Sequence, residues 1–491
     1  MDRLSLVTLP ALGEAATRPA FDPRALGIGI VHLGIGAFHR AHQAIYTDEA
    51  LTAGDGDWGI CGVSLRSPDM RERMRVQDGL YTAVEKSSSA VHRRIVGSVR
   101  EVLYLAEDRT AVAARLAAGA TRIVSLTVTE KGYCHDPATG RLNFAHADIA
   151  ADLGDREQAR SVVGLLTAAF SARRAQCAGP LSVVCCDNLP HNGAVLRGLV
   201  AEFAHACDPA LARWIEANAA FPSTMVDRIV PAPTAADIAD NDAALGLHDA
   251  AAVVFEPFRQ WVIEERFVTE RPQWEAGGAQ FVADVAPFEL MKLRMLNGSH
   301  SALAYLGYLA GYDYIYQVSA DPRCERLLNG LWDEAGATLP LLPGIDLACY
   351  RRDLLARYRN AALPHRTWQI AMDGSQKLPQ RLLHPARERL LTGAPIAHLA
   401  LAVAGWMRYV DGIDERGQPI DIRDPLAAEF KRIVDGTSRT DPDARVRGLL
   451  SLRAIFGDDL PADRRFVDAV SGWYRELARD GVRHVLDAHF C

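Results

Sequence analysis

Apolar residues in the first 285 positions fall in short, almost unbroken runs, whereas after Pro287 they recur every three to four residues. The runs Gly29-Ile-Val-His-Leu33, Trp58-Gly-Ile-Cys-Gly-Val-Ser-Leu65, Arg122-Ile-Val-Ser-Leu-Thr-Val-Thr129 and Leu181-Ser-Val-Val-Cys-Cys186 are short and apolar on both faces. That is the pattern of strands buried in a parallel sheet. Helical patterns around 110–118 and 159–177, and a further strand at 94–99, complete an alternating βα order. Residues 1–26, with Pro10, Pro19 and Pro23, read as an irregular extended arm. Segments at 221–229, 255–262 and 281–285 read as further strands or extended stretches. Helices are expected at 292–309, 321–335, 347–360, 385–391, 398–409, 444–456 and 463–477. The change of texture places a domain boundary near 285, giving domains at 1–285 and 286–491, with no internal repeat.

The turn after the first strand adds chemistry to this outline. Gly34-Ile-Gly36-Ala-Phe38-His39 follows the strand, and a helical pattern runs on through Leu51. Strand, glycine turn and helix open a dinucleotide-binding fold, because residues without side chains let the backbone approach a diphosphate. Two glycines of G-x-G-x-x-G are present and His39 stands at the third. The expected class is therefore an α/β N-terminal Rossmann-type domain followed by a mainly α-helical C-terminal domain. Gly34, Gly36 and Phe38 are candidates for the diphosphate turn, and Asp69, after the second strand, for the adenosine ribose hydroxyls. Arg66 beside it would instead tolerate a 2′-phosphate. Thr127 and Asn188, at the carboxyl ends of later strands, should border the same crevice. Asp227 beside Arg228 reads first as half of a structural ion pair.

Bulk numbers narrow the partners. With 54 basic against 61 acidic residues and a net charge of −7, no basic footprint for nucleic acid or an anionic membrane exists. No run approaches the roughly 20 apolar residues of a spanning helix. The nine scattered cysteines contain no C-x-x-C pair and fit a reduced, cytoplasmic setting better than a disulfide framework. His39 and His42 lack nearby cysteine or carboxylate ligands, so no metal site is expected.

Lys292-Leu-Arg-Met-Leu-Asn-Gly-Ser-His300 holds the densest chemistry. Polar groups in a stretch otherwise suited to a buried helix are costly unless they have partners. On a regular helix at about 100° per residue, His300 lies about 80° and Asn297 about 140° around the axis from Lys292. All three then reach one pocket, supplying a base and hydrogen-bond donors for a carbinol or carbonyl oxygen. The alternative is that Lys292 and His300 snorkel from a core helix.

Several separated stretches together resemble the long-chain mannitol dehydrogenase family of polyol and aldonate dehydrogenases. They are Val31-His-Leu-Gly-Ile-Gly-Ala-Phe-His-Arg-Ala-His-Gln43, Ser125-Leu-Thr-Val-Thr-Glu-Lys-Gly-Tyr133, Cys186-Asp-Asn-Leu-Pro-His-Asn-Gly193, Met225-Val-Asp-Arg-Ile229 and Met291-Lys-Leu-Arg-Met-Leu-Asn-Gly-Ser-His300. The resemblance implies NAD as cofactor, catalysis without metal, a sugar acid or polyol as substrate, and a monomer. It gives Lys292 the part of general base, Asn188 and Asn297 the polarisation of the substrate oxygen, and His300 and Asp227 places in the substrate pocket. In residues 363–381, mannitol 2-dehydrogenase-type members carry arginine where this chain has Gln369, whereas Lys377 is shared. The string is more similar to the fructuronate-reducing branch, which implies interconversion of mannonate and fructuronate. Arg366, Lys377 and Arg381 are the cations on offer for its carboxylate.

Overall fold

The computed structural model describes residues 1–136, 139–438 and 440–491. They form two units, Met1–Ala286 and Pro287–Cys491.

In the first unit the apolar runs become strands β1 (Ile28–Leu33), β2 (Gly59–Ser64), β3 (Tyr81–Lys86), β4 (Val91–Val96), β5 (Val99–Tyr104), β6 (Ile123–Leu126), β7 (Leu181–Cys185) and β8 (Ala219–Ala220). Six of these form one parallel sheet in the order β5-β2-β1-β6-β7-β8. The chain starts in the middle, winds outward to β5, then returns to the other side of β1. This is the doubly wound order, and its reversal between β1 and β6 opens a crevice at the carboxyl ends of the strands. Val31, Leu33, Val124, Leu126 and Val183 are buried on one face, and Ile30, Ile60 and Ile123 on the other. Burial on both faces explains why the strands read as continuous runs rather than alternations.

Three local readings change. The expected strand at 94–99 spans the end of β4 and the start of β5, because β3 and β4 form an antiparallel pair inserted between β2 and β5. The pair joins β10 (Val253–Phe255) in a separate three-stranded sheet, and β9 (Thr224–Asp227), β11 (Gln260–Glu264) and β12 (Gln280–Val282) form another. The region after 195 is also richer in helix than its pattern suggested, with Pro209–Asn218 and Ala235–Leu245 capped by Asp208 and Thr234. Finally, the helix expected through Leu51 breaks at His42 into Ala37–Ala41 and Gln43–Thr52. There the His42 ring bonds the Gln260 carbonyl at 2.9 Å.

The second unit is helical. Gly298–Leu309 and Ala397–Tyr409 are buried along most of their length, and Pro322–Gly336 and Arg464–Phe490 pack around them. Asp321, Asp346, Asp441 and Asp463 cap the helices that follow them, and two of these helices, Pro322–Gly336 and Pro442–Leu450, start with proline. The stretch expected as one regular helix over 292–309 is a π-helix at Lys292–Asn297 that passes into α-helix at Gly298. Among the described residues no helix is long and apolar enough to cross a membrane.

Candidate functional site

The carboxyl ends of β1, β2 and β6 border a cavity of about 760 Å³. Gly34, at φ +98°, makes the turn out of β1, and a Cβ there would meet the Thr127 carbonyl oxygen at 2.2 Å. Only glycine fits. A Cβ on Gly36 would instead meet nothing closer than 3.9 Å, so its missing side chain leaves open space along the wall. Together the two glycines form a cradle suited to a diphosphate lying against backbone. The Thr127 hydroxyl donates to the Gly34 carbonyl at 2.8 Å, and His32 reaches Thr127 Oγ1 at 2.9 Å and Ser125 Oγ at 2.8 Å. His32 thus ties the turn to β6. Burial pulls its imidazole down to about 3, and does the same for His42. His39 stacks on His32 with centroids 3.4 Å apart and is likewise held neutral by burial.

Of the residues expected at this crevice, Gly34, Gly36 and Thr127 line the cavity, and so does Arg66. Phe38, Asp69 and Asn188 are not among its lining residues. Phe38 stacks on His42 at 5.0 Å. Asp69 is exposed in the first turn of the helix Asp69–Arg75, where its charge favours the helix N-terminus. Asn188 stands exposed in the turn after β7. That turn is anchored by Asn192, whose Nδ2 donates to the carbonyls of Asp187 and Thr224, both at 2.8 Å. Asp187 accepts from the Tyr133 hydroxyl and from the Val128 amide, and burial pushes its carboxyl up to about 7. No periodicity marked Asp187 or Tyr133 as partners, since they lie 54 positions apart. Asp227 ends β9 and is buried. The Arg228 guanidinium donates to the carbonyls of Ala41 and Glu256, reaches Glu85 at 3.4 Å, and lies over the Phe255 ring.

Cys134, His146 and Asp148, which no sequence spacing joined, bring ligand atoms within 4.8 Å of one another at the cavity wall. His146 Nδ1, however, already accepts from the Asp148 amide at 3.2 Å.

In the second unit, the π-helix widens the turn that carries Lys292 and Asn297. The Gly298 amide bonds back to Leu293, five residues earlier. Three successive carbonyls of the turn receive side-chain donors: Met295 from Trp332 Nε1 at 3.0 Å and from Ser299, Leu296 from Tyr358 at 2.8 Å, and Asn297 from Arg381 Nη1 at 3.3 Å. These bonds satisfy acceptors that a widened turn presents sideways, which is how a rare π segment persists. The angles expected for a regular helix therefore do not apply between Lys292 and Asn297. Arg381 sits in a second π segment, Pro379–Leu383, close enough that a Cβ on Gly298 would lie 3.0 Å from its carbonyl oxygen.

His300, one turn into the α-helix, stacks on Tyr358 at 5.3 Å and lies 5.9 Å from His365. Its Nε2 is buried without a hydrogen-bond partner. Burial first, then the charges of His365, Arg381, Arg357 and Lys377, hold the imidazole well below its usual range. Lys377 donates to the carbonyls of Ile370 and Met372, which places it at the end of the helix Thr367–Ala371. Burial and then Arg381 lower its ammonium. Gln369 lies exposed on that helix, and Arg366 is exposed at its start, over the Tyr314 ring at 5.4 Å. The structure thus gathers Asn297, His300, Lys377 and Arg381, and gives Arg366 a different partner.

A doubly wound sheet with a glycine cradle at its switch point defines the first unit as a nucleotide-binding domain of an oxidoreductase. The chain belongs to the mannitol dehydrogenase family: the Mannitol dehydrogenase Rossmann domain matches residues 28–276, and the Mannitol dehydrogenase C-terminal domain residues 284–478. It is 48% identical to D-mannonate oxidoreductase of Escherichia coli (strain K12) over 476 residues, covering 96% of this chain and 97% of that one. It is 38% identical to mannitol 2-dehydrogenase of Pyrenophora tritici-repentis, covering 96% of this chain and 83% of the relative. Among solved structures, it resembles Pseudomonas fluorescens mannitol 2-dehydrogenase in a ternary complex with NAD and D-mannitol. There the TM-score is 0.83 and the identity 38%, with 99% of each chain covered. A substrate-free D-sorbitol dehydrogenase matches with a TM-score of 0.92 and 32% identity, over 98% of this chain and 100% of that one.

Proposed function

We propose that the chain is an NAD-dependent oxidoreductase that interconverts D-mannonate and D-fructuronate. The observation that carries this reading is the cationic surrounding of His300. Arg381, Arg357 and Lys377 all bear on a buried, neutral imidazole whose Nε2 lacks a partner. A sugar acid would bring the missing acceptor and a compensating negative charge; a neutral polyol would bring only the first. The 48% identity to D-mannonate oxidoreductase, against 38% to a mannitol 2-dehydrogenase, supports the same choice.

Bound against the Gly34–Gly36 cradle, NAD would supply the hydride acceptor or donor. On the protein side, Lys292 Nζ takes the proton from the substrate hydroxyl during oxidation and returns it during reduction. It must be neutral to accept that proton, which neighbouring positive charge and burial favour. The Asn297 carboxamide donates to the reacting oxygen, and the resemblance gives Asn188 the second donor's part. His300, kept neutral, serves as a hydrogen-bonding and orienting group rather than a charged acid. Glu289, three residues before Lys292, is assigned the relay of that proton to solvent. A Glu289→Gln enzyme whose pH–rate profile matched the parent's would remove the relay.

The similarity to mannitol 2-dehydrogenase and D-sorbitol dehydrogenase structures favours a second reading, a polyol 2-dehydrogenase. One assay decides between them: kcat/KM for D-fructuronate against D-fructose with NADH. Fructuronate should be reduced at least tenfold more efficiently, and faster turnover of fructose would reverse the assignment.

A further inference from the structure

We infer that Asp187 is a positioning residue for the reaction: its carboxyl closes the end of the parallel sheet in place of a strand carbonyl and thereby fixes the turn that presents Asn188. The inference rests on the reading above in which Asn188 donates to the reacting oxygen.

Strands β6 and β7 part at this point. The Cys186 amide bonds to the Leu126 carbonyl of β6 at 2.9 Å, and the Thr127 amide bonds to the Leu33 carbonyl of β1 at 3.0 Å. Successive amides along a central strand serve opposite neighbours, so the Val128 amide faces the β7 side. There the chain has already left the sheet for the turn 187–191. Asp187 Oδ1 accepts the Val128 amide at 2.5 Å. Its other oxygen accepts from the Tyr133 hydroxyl, at the end of the helical turn Glu130–Tyr133, and from Cys185 Sγ at 3.6 Å. All of these donors are neutral, and the carboxyl is buried. Burying a carboxyl against neutral donors costs free energy that a neutral side chain would avoid, which marks a group kept for its placement.

The main chain of Asp187 is held as firmly as its side chain. Its carbonyl belongs to the peptide plane that enters Asn188, and it accepts from Asn192 Nδ2 at 2.8 Å. Asn192 is itself locked: Nδ2 also donates to the Thr224 carbonyl at 2.8 Å, while Oδ1 accepts the Gly193 amide at 2.8 Å and the Thr224 amide at 3.0 Å. Thr224 Oγ1 returns to the Cys185 carbonyl at 2.7 Å. With one residue pinned through both carboxyl and carbonyl, the direction in which the backbone delivers Asn188 is set. A displacement of about 1 Å in such a group can cost about 10²-fold in rate. Val128 and Thr129 line the cavity at the glycine cradle, so the same carboxyl ties that wall to the turn.

The test is a double-mutant cycle on kcat, run with NADH and whichever of D-fructuronate and D-fructose the parent reduces faster. Asn188→Ala should lower kcat by about 10²–10³-fold, the worth of one oxyanion donor. Asp187→Asn keeps an acceptor for the Val128 amide but sets an amide donor against the Tyr133 hydroxyl. It should lower kcat at least tenfold in the parent and less than threefold in the Asn188→Ala background, with the Kd for NADH within threefold of the parent's. Tyr133→Phe removes a single hydroxyl and carries the same cycle should the Asp187 variant not fold, with at least a threefold loss in the parent and less than twofold beside Asn188→Ala. Equal losses in both backgrounds, or parental kcat for Asp187→Asn, overturns the inference and leaves the part of Asn188 standing. Parental kcat for Asn188→Ala removes that donor from the chemistry, and both readings fall.

Discussion

Two regions of this molecule bury neutral imidazoles, and they do so on different terms. Beside the glycine turn, His32, His39 and His42 are neutral because they are packed among sheet and helix side chains, with His32 and His42 bonded to Ser125, Thr127 and a carbonyl. Around His300 the burial is joined by Arg381, Arg357 and Lys377, and Nε2 is left without a partner. The first arrangement is tied to its frame through those bonds, although His39 Nδ1 and Nε2 and His42 Nδ1 are left without partners and Arg40, Arg228 and Arg259 also bear on it. The second holds positive charge and an unmet hydrogen bond in reserve, which suits a ligand that carries an acceptor and a negative charge. Burial of histidine and an unsatisfied ring nitrogen occur in both regions, so neither alone marks a functional site; what sets the second apart is that Arg381, Arg357 and Lys377 converge on one imidazole.

The largest test of that contrast lies in the second region. Lys292→Ala should lower kcat by about 10²–10⁴-fold, the usual worth of a positioned base, with circular dichroism unchanged. Parental turnover would remove Lys292 from the chemistry. In the first region the corresponding break is in the backbone: Gly34→Ala forces a Cβ to 2.2 Å from the Thr127 oxygen at a positive φ. Strain of about 1–3 kcal/mol should appear as a lower Tm and a weaker Kd for NADH, and an unchanged Kd would show that the turn is not the cradle.

Arg381→Ala should act more selectively. It removes the donor to Asn297 and Ser301 and one of the charges that hold His300 neutral. Because Arg381 depresses that imidazole, its loss lets the His300 pKa rise, which a histidine NMR titration can read. The KM for fructuronate should rise about tenfold or more, in line with about 1.5–3 kcal/mol for a charged hydrogen bond, and by clearly more than the loss on fructose, which reflects only the donor removed from the Asn297 carbonyl. Equal losses on both substrates would count against a carboxylate at Arg381.

The smallest effect concerns acid stability. His32 and His42 are held at about 3 in the fold and titrate near 6.5 when unfolded. Between those values the unfolded chain binds protons that the folded chain refuses. Their contribution to stability is thus intact above about pH 6.5 and declines as pH falls toward 3. His39→Phe, which keeps the stack on His32 but removes a third such imidazole, should flatten the fall in urea midpoint between pH 7 and 5. An unaltered slope would mean His39 is not part of that proton uptake.

How far the sequence reached differs between these regions for a physical reason. The glycine turn was readable because its determinants are local: a buried strand, two glycines and a helical pattern lie within a few residues. The β3–β4 insertion was not, since the hairpin that pairs Tyr81 with Val96 is completed by β10, whose Val253 pairs with Ala83 from far along the chain. Asp69 drew attention by its position after β2, and the structure places it exposed in the first turn of the next helix with no side-chain cap bond. Asn297, His300, Lys377 and Arg381 were legible as residue types, and Tyr358, His365 and Arg357 as neighbours of His300 were not.

By itself the sequence determined the parallel strands, the order of the two domains, the glycine turn and the supply of lysine, asparagine and histidine in one stretch, because periodicity and turn chemistry act over a few residues. Only the tertiary structure decided that this stretch is a π-helix. Its carbonyls are met by Trp332, Tyr358 and Arg381, which lie 37, 62 and 84 positions downstream of the residues they bond. A buried carbonyl left without such a donor costs about 1–3 kcal/mol. The shape that presents Lys292 and Asn297 is therefore fixed by side chains that no window around residue 292 contains.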